Sequence, residues 1–183
     1  MIVDLIDKLI DRCIGLVKAH NESKRSLLTD FLDPTYAAFE AIHKEYLADF
    51  RRYRTRLKSN ESFSKTVNFL RDTLHEDNLF TADQRTKLLQ LSRLHEDNLF
   101  GDLVVAIEGY LLKPTEELYE PERGQMWRTS LSHVLDQILR SSRTEADKRL
   151  RALGNLDILV NAMQKASSKV TAVYLKAKQS LLS

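Results

Sequence analysis

The apolar residues of this chain recur at alternating steps of three and four, a spacing that only an α-helix turns into a continuous face. The first such stripe runs Ile2, Ile6, Leu9, Cys13, Leu16, His20, Ser23, Leu27 and reads as one helix to about Leu32. Val3, Leu5, Ile10, Ile14 and Val17 widen it to the breadth of a helix that faces a bundle. His20 and Ser23 interrupt its carboxyl end with polar groups. A second seam, Tyr36, Phe39, His43, Tyr46, Phe50, Tyr53 and Leu57, is mostly aromatic and calls for smaller side chains opposite it. The third, Leu156, Leu159, Met163, Ala166, Val170, Val173 and Ala177, keeps a strict heptad with small residues in it. A seam that narrow suits another long helix, in the same chain or in a second copy.

Between the seams the boundary signals are sparse. Asp33-Pro34 reads either as a break between the first helix and the second, with Asp33 as N-cap and Pro34 at the first helical position, or as a kink in one long helix; the slip of the stripe by one residue there favours the break. Ser59-Asn60-Glu61-Ser62 reads as a turn before a helix over 62–77. Thr81-Ala82-Asp83-Gln84 matches a capping box and opens a helix over 82–97. Gly101 permits a short break before a buried helix over 102–112. The segment from Lys113 to Gly124 holds two prolines and four glutamates and is the expected connecting loop. A helix over 125–139, a break at Ser141-Ser142 and a restart at Thr144-Glu145 complete the chain.

Five glycines and three prolines in 183 residues leave too few turns for a strand-rich domain. The expectation is an all-α bundle of about six helices, with long, antiparallel, coiled-coil-like first and last helices. It forms a single helical domain over 1–183, with halves 1–112 and 125–183 joined by the acidic loop.

Charge excludes little but tilts the reading. With 28 basic against 26 acidic residues the net charge is +2, short of the basic excess that a dedicated nucleic-acid binder uses. Cys13 is the single cysteine, so no intrachain disulfide forms and no oxidising compartment is implied. The first residues carry acids where a secretory signal would carry bases. The longest wholly apolar run, Leu103 to Ile107, is about five residues against the roughly 20 that span a bilayer. A soluble, cytoplasmic protein without a transmembrane segment is expected.

Leu74-His75-Glu76-Asp77-Asn78-Leu79-Phe80 recurs without change as Leu94-His95-Glu96-Asp97-Asn98-Leu99-Phe100. The flanks do not match and there is no third copy, so a solenoid is a poor reading. Each copy places Asn where a left-handed helix cap is wanted and follows it with an apolar pair, a repeated way of reversing the chain. Adjacent His-Glu pairs point about 100° apart on a helix and do not make a metal site.

Three other constellations have functional readings. Glu40 and His43 are spaced as Glu-x-x-His, the element that di-iron bundles use twice, and they are the candidate metal ligands; Asp72 and His75 repeat the spacing with Asp. A buried His20–His43 polar pair fixing helix register competes with that reading. Lys44, Arg51, Arg54 and Lys58 share one side of their helix and are the candidate phosphate-contact stripe, against the plainer reading of cations solvating a helix carboxyl end. Lys165, Lys169, Lys176 and Lys178 make the last helix basic on one side, a feature that an acidic partner or a membrane surface could read. No phosphate loop, nucleophile elbow, Cys-x-x-Cys or His-Glu-x-x-His occurs. The sequence therefore points first to a non-enzymatic helical interaction module or subunit without a cofactor, engaging a protein partner or a second copy. Nucleic-acid binding through the Arg51–Lys58 stripe and a metal-binding bundle around Glu40 and His43 are the alternatives.

Overall fold

In the computed structural model, residues 2–19, 22–75, 84, 87, 91, 100–112 and 127–183 are described. They form an all-α bundle without strands, whose long first and last helices lie against each other. Six helices lie among the described residues: α1 (Ile2–Lys18), α2 (24–57), α3 (Phe63–His75), α4 (Gly101–Leu112), α5 (Trp127–Arg140) and α6 (Glu145–Leu182). Residues 84, 87 and 91 are also helical. The acidic loop 113–124, His20, His95 and the asparagine caps of the repeat lie outside the described residues.

Two expectations about the amino-terminal third are corrected. The first helix stops at Lys18 instead of continuing to Leu32. Ser23, expected as a polar interruption of a seam, is the N-cap of a new helix: its Oγ accepts the Ser26 N–H at 3.2 Å. The expected break at Asp33-Pro34 is absent, and helix continues on both sides of it. Instead, residues Leu27–Leu32 form a π-turn, with the Asp33 N–H bonded to the Leu28 carbonyl five residues back. A π-turn holds one extra residue, which accounts for the slip of the stripe. A wider turn is also the kind of irregularity that accommodates a proline ring, whose clash with the carbonyl four residues back breaks an ordinary helix. Thr35 is buried and donates its hydroxyl to the Phe31 carbonyl at 2.7 Å, one turn back.

The chain divides into two compact units. The first comprises Met1–Lys44, Phe80–Tyr110 and Lys165–Ser183. Its core joins the α1 stripe (Ile6, Leu9, Cys13, Leu16) to Phe39 and Ile42 of α2, Leu103, Val104 and Ile107 of α4, and Val170 and Ala177 of α6, all buried. Gly15 brings α1 close to the π-turn, where a Cβ would meet the Phe31 ring at 3.8 Å. Tyr36 stacks on Tyr174 with ring centroids 3.9 Å apart and hydrogen-bonds Thr171 at 2.9 Å, joining α2 to α6.

The second unit comprises Glu45–Leu79 and Leu111–Gln164. Tyr46, Phe50, Tyr53 and Leu57 of α2 are buried with Phe63, Val67, Trp127, Leu131, Leu156, Leu159 and Met163, and α3 packs on α5. Its helix ends are capped across the fold. Glu145 accepts the Phe63 N–H at 2.8 Å, and Arg149 donates to the Leu57 carbonyl at 2.7 Å. Thr144 caps α6 by accepting the Asp147 N–H at 3.2 Å.

Candidate functional site

The four residues of the expected basic stripe have different fates. Lys44 is exposed and sits 3.8 Å from Glu40, one helical turn before it. Arg54 is paired with Asp157 of α6. Arg51 and Lys58 are exposed and have no ion pair among the described residues. Two of the four cations thus have a carboxylate beside them, and two do not among the described residues.

His43 is half-buried, and its Nδ1 lies 2.9 Å from the Tyr110 hydroxyl. Phe39 stacks on the imidazole at 6.2 Å and meets Tyr110 edge-on at 4.9 Å, so the imidazole is one member of an aromatic cluster. Burial pushes the His43 pKa below the usual histidine value, partly opposed by the Glu40 carboxylate. Glu40 itself is engaged with Lys44. Among the described residues no group of three or more His, Cys, Asp or Glu side chains is placed to hold a metal ion.

Adjacent to the expected stripe, the structure assembles a cationic site of different composition. Arg51, Arg52, Thr55, Arg56 and Ser59 line an open hollow of about 490 Å³ at the carboxyl end of α2. Arg52 is held from beneath by Asp49, a carboxylate only 2% exposed. Arg56 contacts Glu61 at 3.0 Å and lies over the Phe69 ring at 3.9 Å. Arg52 and Arg56 also line a second cleft, of about 250 Å³, with Asp49, Tyr53, Phe69 and Leu70. Phe69 is 46% exposed, unusual for a ring of that size. The i, i+4 spacing of Arg52 and Arg56 was visible in the sequence. Their meeting with Phe69, on the next helix, had no local signal.

A second tertiary cluster ties α2 to α6. The Tyr174 hydroxyl donates to Asp33 Oδ1 at 2.7 Å, and Lys178 Nζ donates to both Asp33 oxygens at 3.1 and 3.0 Å. Asp33, expected as a helix cap, is thus a partner of the last helix. Lys178 leaves the basic side expected of α6, whereas Lys165 and Lys169 stay exposed without an ion pair among the described residues. Lys176 lies 3.8 Å from Asp102, both well exposed. Beside this lysine row, Leu175 and Leu182 stand 55% and 68% exposed.

The heptad seam of α6 is used inside the chain. Leu156, Leu159, Met163 and Val170 are fully buried and Ala177 nearly so. Among the described residues no helix is long and apolar enough to cross a membrane. Comparison of the chain with protein-family models, with curated proteins and with solved structures finds no match in any of the three.

Proposed function

We propose that this chain is a non-enzymatic, cytoplasmic helical interaction module, and that the outer side of α6 docks an amphipathic, acidic helix of a partner protein. The observation that carries this reading is that Leu175 and Leu182, more than half exposed, share a helix with Lys165 and Lys169, which have no ion pair among the described residues. Exposed apolar anchors and like charges on one helix suit a partner of opposite charge, which the lysines would orient and the leucines would hold. Because the inner seam is already buried, the docking surface is the outer one. The metal reading has less support, since His43 is committed to Tyr110 and Glu40 to Lys44. The nucleic-acid reading loses Lys44 and Arg54 to carboxylates.

The test is affinity isolation from the source cells with the wild-type chain and with the Leu175→Asp/Leu182→Asp variant, followed by reconstitution from purified components. The expected result is a stoichiometric partner that binds the wild type and is lost with the variant, with an interaction that weakens as salt rises. A monomeric mass by light scattering together with no stoichiometric partner would overturn the reading. So would a partner that binds both forms equally.

A further inference from the structure

We infer that the arginine hollow and the adjoining Phe69 cleft form one binding site for a phosphate group carried on a planar ring, the chemistry of a nucleotide. The phosphate half rests on three arginines, Arg51, Arg52 and Arg56, that line one hollow. Arg51 has no carboxylate among the described residues, while Arg52 and Arg56 each touch one and keep further N–H donors free. The arginines of the hollow therefore retain a net positive charge after Asp49 and Glu61 are counted. Arginine forks match phosphate oxygens in pairs, which lysines at the same places would not do.

Arg56 Nε and Ser59 Oγ are buried and have no hydrogen-bond partner among the described residues. Both belong to residues lining the phosphate half.

The ring half rests on Phe69. Arg52 and Arg56 line both hollows, so a ligand anchored on them reaches the cleft formed with Tyr53, Phe69 and Leu70. There a planar ring can stack on the exposed phenyl or on the Arg56 guanidinium above it. Arg52 is kept upright by the buried Asp49, which acts as a positioning residue beneath the site. Exposed arginines alone would be read as solvated charge. It is their convergence with an exposed aromatic ring that selects a ligand with both features.

The experiment is an amide chemical-shift titration of the full chain at low salt with pyrophosphate, with AMP and with short oligouridylates of increasing length. AMP is expected to move the signals of residues 51–59 and of 67–70, and pyrophosphate only those of 51–59. Arg51→Glu is expected to weaken both by about tenfold, the scale of one charge-assisted contact. Phe69→Ala, and Phe69→Leu as a variant that keeps apolar bulk, should weaken AMP binding several-fold and leave pyrophosphate binding unchanged. Affinity that climbs with oligonucleotide length and falls steeply with salt identifies a strand as the source, and length-independent affinity identifies a free nucleotide. No shift over 51–59 with either probe at millimolar concentration overturns the site. Binding indifferent to Arg51→Glu, or Phe69 variants that weaken both probes alike, does so too.

Discussion

Cys13 and His43 are titratable side chains set on apolar seams, and burial moves both in measurable directions. Cys13 is fully buried, and desolvation with a contribution from the Glu108 carboxylate pushes its thiol up to about 12. A thiol reagent at about pH 8 therefore finds almost no thiolate in the folded chain. Labelling is expected only at the rate of unfolding, rising to free-thiol rates in denaturant; native labelling as fast as a model thiol would remove Cys13 from the core. His43 titrates the other way. Its folded pKa lies below the ordinary 6.5, so the unfolded chain takes up the proton first as acid is added. The stability gained by keeping this imidazole neutral is whole above about pH 6.5 and is lost as the pH falls through the lowered folded value. Replacing His43 with Gln keeps a polar partner for Tyr110 and abolishes the titration. Urea unfolding at about pH 7.5 and about pH 5.5 should show a smaller loss for the variant than for the wild type. An equal loss in both would assign the acid sensitivity elsewhere. The seam position of each residue was legible in the spacing. The Tyr110 partner of His43, 67 residues away, was not, because no local pattern encodes a tertiary contact.

Helix α2 shows how a correct local signal can support the wrong element. The one-residue slip near Pro34 is real, and both a hairpin and a π-turn produce it. The π-turn prevails because seams on both sides, Leu27 and Leu32 before and Phe39 and Ile42 after, are buried on one continuous helix. The boundaries at Ser59–Ser62, Ser141-Ser142 and Thr144 were legible because capping chemistry is local. That account makes the extra residue and the proline interdependent. Deleting Thr29, exposed within the turn, should restore ordinary helical spacing and drive the Pro34 ring into a carbonyl. The deletion alone is expected to cost about 3 kcal/mol, and far less when combined with Pro34→Ala, a coupling of about 2 kcal/mol in a double-mutant cycle. Additive costs in guanidinium melts would mean that the turn is wide for another reason.

Across the whole molecule, α6 carries two kinds of apolar residue that sequence spacing alone could not sort. The heptad leucines and the off-heptad leucines have the same side chain, and only the fold tells which side is covered. Leu159 is fully buried, whereas Leu182 is 68% exposed. An aspartate at 159 would place an uncompensated charge in the core of the second unit, a change expected to cost more than about 4 kcal/mol and to unfold the chain at ambient temperature. An aspartate at 182 meets solvent, and its effect on the melting transition should stay within about 0.5 kcal/mol. Thermal and urea unfolding followed by circular dichroism measure both. If Leu182→Asp proves as damaging as Leu159→Asp, the outer side of α6 belongs to the core and cannot be a docking surface. If Leu182→Asp is silent in stability, a loss of partner binding by Leu175→Asp/Leu182→Asp can be assigned to the surface itself. The heptad spacing marks which residues form one seam, and the fold adds that Leu156, Leu159, Met163 and Val170 of that seam are covered while Leu175 and Leu182 outside it are not.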